Sequence, residues 1–119
     1  MNEMRDDKRA AAQARMAELA QKFIHRSHGD LRLMREALAS VVPENAGRLG
    51  EIRHLAHRMA GTGATLGFDT LGQQALGIET LIESLPNGAV PDAQLLARLS
   101  ADIGTLESQL AADERAMSG

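Results

Sequence analysis

Apolar residues recur along this chain three and four positions apart, and nowhere do they alternate with period two over a useful length. The spacing predicts helices throughout. A first helix is expected over about Glu3 to Arg26, with Met16, Leu19, Ala20 and Phe23 as its apolar stripe. Its opening stretch, residues 1–15, is charged and Ala-rich and is expected to project or fray. Gly29 is positioned to end this helix and Asp30 to cap the next. That second helix turns Leu31, Met34, Leu38 and Val41 inward, and Val42-Pro43 closes it because proline disfavours helical geometry in the residue before it. A third helix is expected from near Glu44 to near Gly67. A fourth starts at Asp69 and places Leu71, Ala75, Ile78 and Ile82 on one face. Pro86-Asn87-Gly88 is a turn signal. Pro91 and Asp92 then open a last helix with Leu95, Leu99, Ile103, Leu106 and Leu110 inward. Short connections make neighbours antiparallel, so the expected fold is all-α, an antiparallel four-helix bundle with an additional N-terminal helix, in a single domain over residues 1–119.

The third helix carries the most information. At ~100° per residue, Ile52, Ala56, Met59, Gly63 and Leu66 share a core-facing stripe, and His57 falls nearly opposite it. A mid-helix histidine held toward solvent is presented at a fixed angle. Gly50, Ala60, Gly61 and Ala64 lie on the same side within one or two turns and are all small, so a partner can approach the ring closely. Glycine inside a helix costs roughly 1 kcal/mol relative to alanine. That cost points to close helix packing at Gly63 and to partner access at Gly61. Arg53, one turn before His57 and on its side, is placed to steady an anion on the ring by a charge-assisted hydrogen bond. Arg58 sits about 100° away around the helix and is the weaker candidate. His54 flanks the site.

Composition narrows the chemistry. The 119 residues contain no cysteine, tryptophan or tyrosine and two phenylalanines, Phe23 and Phe68. A disulfide framework and a thiol nucleophile are thereby excluded, and an aromatic base-stacking platform is disfavoured. The formal net charge is −3, with both signs interspersed and no basic stripe for nucleic acid or anionic lipid. Residues 1–16 are charged and lack the apolar stretch of a signal peptide, and no apolar run approaches the ~18 residues of a membrane span. A cytoplasmic monomer is the resulting expectation.

The segment His57-Arg-Met-Ala-Gly-Thr-Gly-Ala-Thr-Leu-Gly67 resembles the signature of the histidine phosphotransfer (HPt) family: His, any residue, an apolar residue, Lys or Arg, Gly, small residues, then Leu-Gly. His57, Met59, Gly61, Leu66 and Gly67 fall in place. Phe23, Gly29-Asp30-Leu31 and Arg35-Glu36-Ala37-Leu38 look like the family's second helix, and Leu71 with Ile78-Glu79 like its fourth. The resemblance covers roughly Phe23 to Glu107. It implies a four-helix bundle whose exposed histidine exchanges phosphoryl groups with aspartates of response-regulator receiver domains, fed by a hybrid or sensor histidine kinase. It implies no ATP site and no cofactor of the chain's own, the receiver supplying Mg²⁺. His57 would be the phosphoryl acceptor, with Arg53, His54, Arg58, Ala60, Gly61 and Ala64 around it. The family usually carries Lys or Arg three residues after its histidine. This chain has Ala60, and Arg53 is the residue placed to substitute for the missing cation.

Other readings stand beside this one. His54 is an alternative acceptor, but the Gly and Leu-Gly positions register on His57. His25 with His28, and His54 with His57, have metal-pair spacing but lack further ligands, so no metal site is expected. Glu79 reads first as a surface or ion-pairing carboxylate, and Gln73 or Gln74 is an alternative partner for the ring. A docking module that keeps the fold without carrying phosphate is the chief alternative function, favoured by Ala60. A histidine-kinase dimerisation domain is disfavoured, because Arg58 rather than an acid follows His57 and no proline follows before Pro86. A generic helical adaptor acting through the N-terminal helix is the remaining alternative.

Overall fold

Four helices make up the regular structure of a computed structural model that describes residues 2–42, 46–86 and 89–118. They are α1 (Asn2–Ala39), α2 (Arg48–Thr65), α3 (Asp69–Glu83) and α4 (Ala93–Ser118). Each packs on its neighbour in sequence, and α4 closes the ring against α1. Cross-helix contacts run in opposite numerical order along three of the four seams: Phe23 near Gly63 and Asp30 against Arg58, Arg53 against Glu83 and Gly63 near Gly72, His28 against Glu114 and Arg35 against Glu107. The bundle is therefore antiparallel at these seams, as the short connections require.

The core consists of the predicted stripes. Met34, Ile52, Ala56, Met59, Leu71, Ala75, Ile78, Leu99, Ile103, Leu106 and Leu110 are each no more than 1 % exposed. Burying a side chain the size of leucine or isoleucine stabilises a fold by ~1.5–3 kcal/mol, so these stripes dominate the folding energy. Phe23 and Phe68 stack with centroids 5.2 Å apart and close one end of the α1–α2–α3 junction. Arg35 ties α1 to α4 by donating to both Glu107 carboxylate oxygens, at 3.2 and 2.7 Å, and to Ser100 Oγ. The Glu107 hydrogen bond also holds the guanidinium above its ordinary pKa. This pair is partly exposed, so its worth is in the ~0.2–1 kcal/mol range of surface ion pairs.

The first two predicted helices are one. α1 runs through Gly29 and Asp30 without a break. Asp30 does not cap a new helix. Its carboxylate accepts a hydrogen bond from Arg58 Nη2 at 3.1 Å and lies 3.9 Å from Arg26 Nε, so its charge is taken up across the α1–α2 seam. A glycine alone costs too little to stop a helix whose flanking turns are packed. Met16 and Leu19, expected inside, are 47 and 42 % exposed, and burial in α1 starts at Phe23. Residues 2–18 are exposed on every side, and they account for much of the 64 Å long axis. Pro43 and Glu44, expected to separate the second and third helices, lie outside the described residues, as do Asn87 and Gly88 of the expected turn. α4 opens as predicted: Asp92 Oδ1 accepts from the Leu95 amide at 2.8 Å, an N-cap bond to the third helical residue.

The α2–α3 turn fixes the site's geometry. Gly67 adopts φ +88, a left-handed conformation that glycine takes without penalty. The Phe68 amide donates to the Gly63 carbonyl at 2.8 Å and the Gly67 amide to Ala64 at 3.3 Å, the paired bonds of a Schellman termination. The Leu66-Gly67 dipeptide thereby reverses the chain within three residues and lays α3 directly along α2.

Candidate functional site

Burial of Ile52, Ala56, Met59 and Gly63 turns the opposite face of α2 to solvent, and His57 stands on that face with its side chain 67 % exposed. One ring edge is held. Glu79 on α3, its side chain only 10 % exposed, brings Oε2 to 2.5 Å from His57 Nδ1. A carboxylate only accepts, so Nδ1–H donates, the proton stays on Nδ1, and the lone pair is on Nε2, the nitrogen away from the carboxylate. The arrangement fixes the orientation of the ring and leaves Nε2 free of the carboxylate.

Close approach of α2 and α3 makes this contact short. A Cβ added at Gly72 would lie 3.2 Å from the Ala60 carbonyl oxygen and 3.3 Å from the Ala64 amide nitrogen. One added at Gly63 would lie 3.4 Å from Phe23 and 3.5 Å from Gly72 Cα. Gly63 thus serves helix packing, as expected. Gly61 has nothing within 4 Å of such a Cβ, so the surface beside the histidine is open.

The residues around His57 divide between the two sides of the α2 face. On the α3 side, Arg53 Nη1 is 3.8 Å from Glu83 Oε1, one turn from Glu79. Ala60 and Ala64 border a shallow depression with Gly72, Gln73 and Leu76. On the α1 side, His57 and Gly61 line a groove of about 550 Å³ whose walls include Lys22, Arg26 and Arg58. Leu19, Phe23 and Leu66 supply its apolar surface. Among the described residues, no carboxylate lines it. His54 is exposed and faces a separate depression with Leu33 and Arg48, away from the His57 groove.

Gln73 and Gln74 do not partner the ring. Gln73 is exposed, and Gln74 keeps a buried Oε1 without a hydrogen bond. His28 Nε2 pairs with Glu114 at 3.0 Å, and among the described residues no group of three or more metal-type ligands converges. The bond from His57 Nδ1–H to Glu79 gives that carboxylate a specific partner on α2, and a signal for it is present in the sequence. An antiparallel hairpin pairs residues equidistant from its turn, and His57 and Glu79 each lie eleven residues from Phe68. The C-terminal part of the first predicted helix belongs to the docking surface expected around His57, and the groove places it there; no local signal singles out Lys22 and Arg26 within it.

The family model for the Hpt domain matches residues 18–112. No curated protein and no solved structure matches the chain. Among the described residues, no helix is long and apolar enough to cross a membrane.

Proposed function

Since this chain belongs to the Hpt domain family, whose members serve histidine phosphotransfer in two-component relays as phosphocarriers rather than kinases, we propose that His57 is its phosphoryl acceptor. It takes the group from, and returns it to, aspartates of response-regulator receiver domains, in a relay headed by a hybrid or sensor histidine kinase. The observation that carries this reading is the His57 Nδ1–Glu79 bond on an otherwise exposed ring.

The chemistry follows from that bond. Nε2 attacks the aspartyl phosphorus in line, the N–P bond forms, and the aspartyl O–P bond breaks with the carboxylate as leaving group. Phosphorylation at Nε2 with Nδ1–H retained leaves the ring cationic. The Glu79 carboxylate, 2.5 Å away, offsets that charge. The reverse reaction onto a second receiver uses the same geometry. Mg²⁺ and most of the transition-state stabilisation come from the receiver, and the carrier contributes positioning. The protein works as a cytoplasmic monomer, without nucleic acid and without a cofactor of its own.

A second reading rests on one observation, the alanine at position 60 where the family usually has a cation. In it the domain docks a receiver or kinase without carrying phosphate. One experiment separates the two. The purified protein is incubated with a ³²P-labelled phosphoreceiver and Mg²⁺, beside His57→Gln. Acid-labile, base-stable label on the wild type and none on the variant supports the carrier. Binding without label on the folded wild type supports the docking module.

A further inference from the structure

We propose that the charge of a phosphoryl group on His57 is met from the α1 side, by Lys22 and Arg26 with Arg58 behind them, in place of the cation missing at position 60. This rests on the reading of His57 as the acceptor. Position 60 lies three residues after His57, ~60° around the helix toward α3, and Arg53 lies ~40° toward the same side. A cation on that side meets carboxylates: Glu79 is bonded to the ring and Glu83 is 3.8 Å from Arg53. The α3 side therefore presents two acids against one base, an unfavourable setting for a phosphoryl dianion.

The other side has the opposite balance. Lys22 and Arg26 are one turn apart on α1 and line the groove with Arg58 and His57. The acid in contact with these cations is Asp30, whose side chain is 8 % exposed and which bonds Arg58 at 3.1 Å. It lies 3.9 Å from Arg26, outside hydrogen-bonding distance. Three cations against one buried carboxylate leave the groove with an excess of positive charge. Lys22 takes part in no ion pair among those of the described residues. Glu79 anchors Nδ1 from the α3 side, so Nε2 is on the ring edge away from that carboxylate. Gly61 leaves the path between ring and groove open. The continuity of α1 through Gly29 makes this possible, because it carries Lys22 and Arg26 on the same rigid rod that buries Asp30.

The test loads His57 without a receiver. Phosphoramidate transfers its phosphoryl group to Nε2 as its own P–N bond breaks and ammonia departs after taking up a proton. Wild type, Lys22→Gln, Arg26→Gln, the double variant and Arg53→Gln are loaded at low salt and followed by ³¹P NMR. His57→Gln identifies the signal. Loss of Lys22 or Arg26 should slow loading by about threefold each, the worth of one unit charge across partly aqueous surroundings. The second ionisation of the phosphoryl group should move to higher pH, which a merely structural role would not produce. Both effects should shrink as salt approaches ~1 M. Unchanged loading and titration in the double variant, or a larger shift in Arg53→Gln, would overturn the assignment. A wild type that loads but accepts nothing from phosphoreceivers would sink the relay reading and leave the groove's role standing. A wild type that never loads would remove both.

Discussion

With His57 as the proposed acceptor, a single hydrogen bond decides which nitrogen reacts. In water the two tautomers of an imidazole interconvert, and only one has its lone pair on Nε2. The buried Glu79 carboxylate selects that one. Glu79→Ala should slow phosphoryl transfer by about tenfold, the equivalent of one oriented, charge-assisted hydrogen bond of ~1.5 kcal/mol. Glu79→Gln keeps an acceptor for Nδ1–H but loses the charge that offsets the phosphoimidazolium, so its rate should fall between those of wild type and Glu79→Ala. ¹⁵N shifts of the ring should show the Nδ1–H form dominant in wild type and mixed in Glu79→Ala. An unchanged tautomer balance in Glu79→Ala would separate the carboxylate from the chemistry. Gly61 belongs at this scale too. A methyl group there meets nothing within the protein, so Gly61→Ala should stabilise the helix by about 0.5–1 kcal/mol while slowing transfer from a docked receiver.

The helices show why part of this fold was legible in the sequence and part was not. Stripes such as Leu71, Ala75, Ile78 and Ile82 repeat at helical spacing and are buried as that spacing requires. The Leu66-Gly67 turn is local chemistry, a left-handed residue and two backbone bonds, and needs no distant partner to be read. Gly29-Asp30 misled because an Asp after a Gly looks like a cap whether or not its carboxylate has a destination. That destination, Arg58, is 28 residues away on another helix. The burial of Glu79 depends on which faces meet, and so does the identity of Gly72 as the partner of Gly63, whereas close packing at Gly63 itself is legible from the cost of a glycine inside a helix. Two glycines then give opposite predictions. Gly29 lies within a continuous helix, and a Cβ there meets only Arg32 Nη2 at 3.8 Å. Gly29→Ala should therefore raise stability by about 0.4–1 kcal/mol in a urea titration. Gly72 faces backbone atoms at 3.2 and 3.3 Å, which cannot swing aside. Gly72→Ala should cost about 1–3 kcal/mol and weaken the His57–Glu79 bond as α3 shifts outward. A neutral Gly72→Ala would show that the crossing is looser than these distances imply.

On the scale of the whole molecule, the bundle and the rod that leaves it are separate in energy. Residues 2–18 bury nothing, whereas α1 from Phe23 onward contributes to the core. Removing residues 1–16 should lower total helical ellipticity yet change Tm by no more than a surface substitution does, about 0.5 kcal/mol in stability. A large drop in Tm would mean that the projecting turns have a partner. The bundle holds the proposed acceptor's imidazole between a carboxylate on α3 and a cation-lined groove beside α1. The most direct test of that account is to transfer phosphate from a phosphoreceiver to ¹⁵N-histidine-labelled protein and read which ring nitrogen couples to phosphorus. The account predicts ³¹P–¹⁵N coupling at Nε2 of His57 alone. Coupling at Nδ1, or at His54, or a folded protein that takes no phosphate at all, would contradict it.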